Sequence, residues 1–119
     1  MPYFYEQDKL TPKALLPGVK ARLMWGEKVM MGLIDIEANS IVPKHSHPHE
    51  QCGRILSGSA WFTVGGETKL LREGDHYVIP GGVEHEVKTG DTPCFALDIW
   101  SPIRDEYLAD DVRFFNAAG

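Results

Sequence analysis

The chain has 119 residues, 43% hydrophobic and 24% charged, with 17 acidic against 12 basic side chains and a net charge of −5. That length accommodates one domain, the composition is globular rather than disordered, and an acidic balance without a basic block argues against a nucleic-acid partner. No apolar stretch approaches a membrane span, and Met1-Pro2-Tyr3-Phe4-Tyr5-Glu6 has neither the basic start nor the apolar run of a secretion signal, so a cytoplasmic setting is expected.

Twelve glycines and eight prolines are spread along the chain as punctuation, which predicts many short strands joined by tight turns. Residues 1–18, with Pro2, Pro12 and Pro17, read as an arm carrying at most one edge strand. A strand-rich body covers 19–104. Strands are expected at 19–25 and 28–36 around a Gly26-Glu27 turn, and at 54–64 and 67–71 around Gly65-Gly66, a pair suited to the positive φ of a tight hairpin. Further strands are expected at 76–79, 85–88 and 94–100. The segment 105–119 is left as a C-terminal helix or turn, because Tyr107, Leu108, Asp111, Val112 and Phe115 fall near helical spacing. Short strands at this spacing mean an all-β sandwich or barrel. Cys52 and Cys94 are expected to be free thiols packed as small apolar residues.

Three of the five histidines crowd into residues 44–51, and His85 follows another Gly/Pro-rich turn. On a strand, residues two apart share a face, so His45 and His47 can aim their imidazoles at one point, a beginning of a metal site. The cluster by itself is equally consistent with a solvated loop.

The wider spacing says more. His45-x-His47-x3-Gln51-x6-Gly58 followed by Gly74-x5-Pro80-x-Gly82-x2-His85 resembles the paired motifs of the cupin superfamily. The resemblance implies a small jelly-roll β-barrel with one divalent transition metal held by His45, His47, residue 51 and His85. Nickel, zinc, iron, cobalt and manganese all accept such donors. Where the superfamily has a glutamate this chain has Gln51, with Glu50 one residue earlier; if the strand alternates, Gln51 points inward and Glu50 outward. An amide leaves the site one positive charge richer, which suits polarising a substrate oxygen better than supporting oxygen chemistry. The other reading makes Gln51 a spacer beside three histidines that bind alone. His49 and His76 occupy no motif position and are expected not to be ligands.

The block from His45 to Gln51 and the run Asp98-Ile-Trp-Ser-Pro-Ile-Arg104-Asp-Glu-Tyr-Leu108 resemble the KdgF family, single-domain cupins of pectin degradation that act on unsaturated uronates. That resemblance, spanning about 19–108, implies His45, His47, Gln51 and His85 as metal ligands. It also implies Asp98, Trp100 and Arg104 as pocket residues, with Trp100 where the family commonly has phenylalanine. From the residues alone, Asp98 interrupts an apolar strand and shares a face with Trp100. A carboxylate there is either satisfied by backbone or by Arg104, or has chemical work to do. Arg104 is either a plain ion pair or a planar fork for a sugar-acid carboxylate. Trp100 either stacks on a sugar or fills core. The faces taken by Arg22, Lys28 and Arg54 stay open.

The expected activity is ring opening of 4,5-unsaturated uronates from pectin or alginate to the linear 5-keto-4-deoxyuronate, an isomerase-type reaction. Asp98 is the expected proton donor to C4, Arg104 orients the carboxylate and Trp100 contacts the sugar. The alternatives are a cupin oxygenase using iron at the same histidines and a non-catalytic sugar-binding cupin. The family also implies a homodimer, with the arm up to Leu16 as the exchanged edge.

Overall fold

The computed structural model describes residues 3–108. Within them the chain is nearly all strand, folded into an almost closed antiparallel barrel. The strands are β1 (Lys13–Leu16), β2 (Val19–Trp25), β3 (Met30–Ile36), β4 (Ile41–His45), β5 (Glu50–Val64), β6 (Glu67–Arg72), β7 (His76–Ile79), β8 (His85–Lys88) and β9 (Cys94–Ser101). Two 3-10 turns, Gln7–Lys9 and Asp105–Leu108, accompany them. The sheet order is β1-β2-β3-β9-β5-β8-β4, with β6 and β7 also bonded to β5. The expected all-β cupin barrel is what forms.

β5 is the hub. Its first half pairs with β9 and β7, and its second half with β6 and β8, so one strand runs through both walls. It turns that corner at a bulge between Ile55 and Ser57, followed by Gly58 at φ 78°. A Cβ at Gly58 would overlap the Pro93 carbonyl, so this motif glycine is required both by backbone conformation and by close approach. Gly65 and Gly66 both take positive φ and close the β5–β6 hairpin with Val64 opposite Glu67.

Period-two alternation directs the core. Met30, Gly32, Ile34 and Ile36 of β3 face inward, as do Cys94, Ala96, Asp98 and Trp100 of β9. Trp100, Met30, Ile55 and Ile79 are almost wholly removed from water, and each such side chain contributes roughly 1.5–3 kcal/mol through burial.

Several boundaries differ from expectation. β3 starts at Met30 rather than 28, because the Gly26 N–H donates to the Val29 carbonyl and the turn is longer. β5 starts at Glu50 rather than 54: Glu50 is already in register with Ser101 of β9, although Glu-Gln-Cys-Gly-Arg has no apolar alternation to announce a strand. β4 was not anticipated. It contains Pro43, which is tolerated because β4 lies at the end of the sheet and pairs only with β8. The helical spacing after residue 105 yields only the Asp105–Leu108 3-10 turn; Asp111, Val112 and Phe115 lie outside the described residues. β1 pairs with β2 of its own chain. Cys52 and Cys94 are free thiols. Among the described residues no helix is long and apolar enough to cross a membrane.

Candidate metal centre

Strand alternation does not bring the histidines together in the way the sequence suggests. β4 ends at His45, and His47 lies in the turn beyond it rather than on the same strand face. Two non-local contacts do the work instead. His45 and His85 are direct cross-strand partners of β4 and β8, with ring centroids 4.3 Å apart. The turn carrying His47 is docked by the Gly82 N–H, which donates to the His47 carbonyl at 2.8 Å. A side chain at Gly81 would overlap the Pro48 carbonyl, so this bare position lets the two motif turns touch, while Gly82 is required by its positive φ of 82°.

Each imidazole is oriented by a backbone carbonyl on its Nδ1: Pro43 for His45 at 2.8 Å, His49 for His47 at 3.0 Å and Val83 for His85 at 2.9 Å. With Nδ1–H donated, each Nε2 is left with its lone pair. Desolvation by burial lowers the pKa of His45 to about 3 and of His47 to about 4, and also lowers that of His85; nearby positive groups, Arg104 among them, add to the effect in each case. All three are therefore neutral at neutral pH, which is the metal-binding form. The ligand atoms of His45, His47 and His85 lie within 4.8 Å of one another.

Two details fit a cation at this point. His85 Nε2 is buried without a hydrogen-bond partner. Gln51 is buried while Glu50 is exposed, and Gln51 Oε1 lies 3.0 Å from His47 Nε2. A carbonyl oxygen and a lone-pair nitrogen facing each other repel unless something positive joins them. Donors at right angles on metal bonds of roughly 2.1 Å sit about 3 Å apart. The residues present fit a divalent metal held by three imidazoles and one amide oxygen.

Asp98 shares the cavity with this cluster. It is buried, accepts a hydrogen bond from the Tyr77 hydroxyl, and has its pKa raised to about 6. Desolvation drives that rise, against hydrogen bonds from Tyr77 and Gln51 and the charge of Arg104. Arg104, also buried, donates from Nε to Glu106 at 3.0 Å and from a terminal nitrogen to the Tyr107 hydroxyl at 2.7 Å. Its guanidinium lies 4.0 Å over the Tyr107 ring. The enclosed cavity between these groups is about 50 Å³.

A cupin-domain family model matches residues 32–100. The chain is a cupin. It is 26% identical over 107 residues to KdgF, the pectin degradation protein of Dickeya dadantii, covering 88% of this chain and 97% of that one. The solved structure of KdgF from a Halomonas species superposes with a TM-score of 0.83 at 21% identity, over 90% of this chain and 99% of that chain, a likeness of fold. A shorter match, 36% over 69 residues, links it to the dimethylsulfoniopropionate lyase DddQ of Ruegeria pomeroyi, covering 57% of this chain but 34% of that one.

In this cupin, Gln51, His45, His85, Asp98, Trp100 and Arg104 all line one cavity, and His47 closes on it through Gln51. Trp100 is 1% exposed and meets Tyr107 edge-on at 5.3 Å, so it is first a core residue. Its Nε1 nevertheless has no hydrogen-bond partner. His76 is exposed on β7, and His49 meets His47 edge-on without joining the ligand cluster. Arg22 pairs with Asp35 at 3.0 Å, Lys28 and Arg54 are exposed, and none of the three lines the cavity. Sequence reasoning missed Tyr77 and Tyr107. Each reads as an ordinary core aromatic, although a buried tyrosine hydroxyl needs a partner and so points at a polar neighbour.

Proposed function

We propose that this cupin opens the ring of 4,5-unsaturated uronates derived from pectin or alginate, giving the linear 5-keto-4-deoxyuronate. The reading is carried by one observation: the buried carboxyl of Asp98 shares a cavity with the imidazoles of His45 and His85 and the guanidinium of Arg104, and His47 closes on it through Gln51. The likeness to the Dickeya KdgF over almost the full length of both chains supports it.

The chemistry balances as an isomerisation. The cyclic substrate is a hemiacetal at C1 and an enol ether across C4 and C5. The C1 hydroxyl loses its proton as the bond from C1 to the ring oxygen breaks, leaving an aldehyde at C1 and an enolate at C5. Protonation of C4 then converts that enolate to a ketone. Protonated Asp98 supplies the C4 proton and is reprotonated through solvent by the one released at C1. Arg104, held in plane by Glu106 and Tyr107, orients the substrate carboxylate. A divalent metal bound by His45, His47, His85 and Gln51 would supply Lewis-acid polarisation of the C5 oxygen and the carboxylate.

Metal-loaded protein mixed with one purified unsaturated uronate should speed the loss of its ultraviolet absorbance. No acceleration sinks the proposal; tight binding without turnover would indicate a sugar-binding cupin, and oxygen consumption with thiols or catechols an oxygenase.

A further inference from the structure

Tyr77 belongs to neither the ligand set nor the charged residues of the cavity, yet the sheet places it in line with the acid. Asp98 of β9 is in register with Gly53 of β5, and Gly53 is in register with Tyr77 of β7 on its other side. Residues two strands apart are separated by about 10 Å, and an intervening side chain would normally fill that space. Here the middle position is bare. A Cβ on Gly53 would overlap both the Tyr77 hydroxyl and Asp98 Oδ1, so the two side chains lean across the gap and bond over it. The Tyr77 ring is itself braced by Phe62, centroid to centroid 4.6 Å. On the opposite flank Asp98 is in register with a second glycine, Gly32, whose missing side chain makes room for the Trp100 ring; a Cβ there would stand 2.9 Å from it. With glycine on both sides in its row, Asp98 has no cross-strand side chain beside it to set its rotamer. The hydroxyl reaching over Gly53 takes that part from one side, and the Gln51 side chain bonds the carboxyl as well.

We propose that Tyr77, acting across the gap left by Gly53, is the positioning residue that fixes the orientation of the Asp98 carboxyl. By donating to Oδ1 it leaves Oδ2 to carry the transferable proton and, added to the hydrogen bond from Gln51, holds the carboxyl in a single orientation. The consequence for catalysis rests on the ring-opening reading, in which Asp98 protonates C4. A proton delivered from one fixed oxygen arrives on one face of the enolate.

Tyr77→Phe keeps the ring and removes only the donor. Metal content by elemental analysis, melting temperature and KM should stay near wild type, while kcat falls on the order of 10- to 100-fold, the scale of a misplaced reacting group. In deuterium oxide, early product should carry deuterium on one face of C4 with wild type and on both faces with Tyr77→Phe. Gly53→Ala, which forces the two side chains apart, should repeat the kcat loss; if it does not fold, Tyr77→Phe decides alone. Unchanged kcat and single-face labelling in Tyr77→Phe would overturn the proposal and leave Tyr77 as core. If wild type turns over no unsaturated uronate, the ring-opening reading fails separately. Crystal structures then decide the positioning: a second Asp98 rotamer in Tyr77→Phe supports it, and an unchanged single rotamer refutes it.

Discussion

Replacing Asp98 by asparagine separates what this residue does for the reaction from what it costs the fold. Asparagine keeps the shape and can still accept the Tyr77 hydrogen bond, but it has no proton to give and no charge to bury. In the fold the carboxyl pKa rises from 3.8 to about 6, chiefly through desolvation, which corresponds to about 3 kcal/mol against the ionised form. A raised pKa means that the stabilising protonated form is fully present below about pH 4. Its contribution is lost as pH rises through about 6, so above that the native state carries the whole penalty. Metal-free Asp98→Asn escapes it. Urea unfolding should find the variant more stable than wild type at pH 8, by up to about 3 kcal/mol, with the advantage shrinking toward pH 4. Turnover of the metal-loaded variant should fall by roughly a hundredfold to ten-thousandfold, the usual contribution of a positioned acid. Lower stability at pH 8 with turnover per folded molecule intact would make Asp98 a structural partner of Arg104. Wild-type turnover in a fully metallated variant would remove it from the mechanism.

Other outcomes follow from the same geometry. His47→Ala should lose metal and activity together, and full metal occupancy by elemental analysis would overturn the ligand assignment. Because burial holds His45 near pKa 3 and His47 near 4, protons should compete with the metal only well below the usual histidine range. Titration calorimetry on Asp98→Asn, which removes the carboxyl that itself titrates near 6 in the same cavity, should therefore lose less affinity between pH 7 and pH 5.5 than imidazoles of pKa 6.5 would; a steep loss across that interval would show ordinary, solvated imidazoles. We propose that two copies pair through the sheet edge at the arm up to Leu16, where β1 is the outermost strand; light scattering should then give a dimer, and a monomeric mass at micromolar concentration refutes it.

Much of the scaffold could be read locally. The apolar run Cys94-Phe-Ala-Leu-Asp-Ile-Trp100 identifies β9 and puts Asp98 on the same face as Trp100, because side-chain direction in a strand depends only on parity. Gly65-Gly66 marks its hairpin because two successive positive φ values nearly demand glycine. The histidines, Gln51 and the cupin barrel were named by resemblance to a known family's motifs, not by local geometry. What tertiary structure alone decided is what occupies the space beside each residue. His45 and His47 were expected to converge by sharing a strand face; they converge because His45 pairs with His85 and because the bare Gly81 and the Gly82 N–H let one turn dock on the other. Arg22, Lys28 and Arg54 were candidates for the pocket until pairing put them outside it. Gly53 in the sequence is merely a missing side chain; that Asp98 and Tyr77 fill the void from either side depends on which strands lie next to β5. Neighbours across a sheet are chosen by the packing of the whole barrel, and no local pattern encodes them.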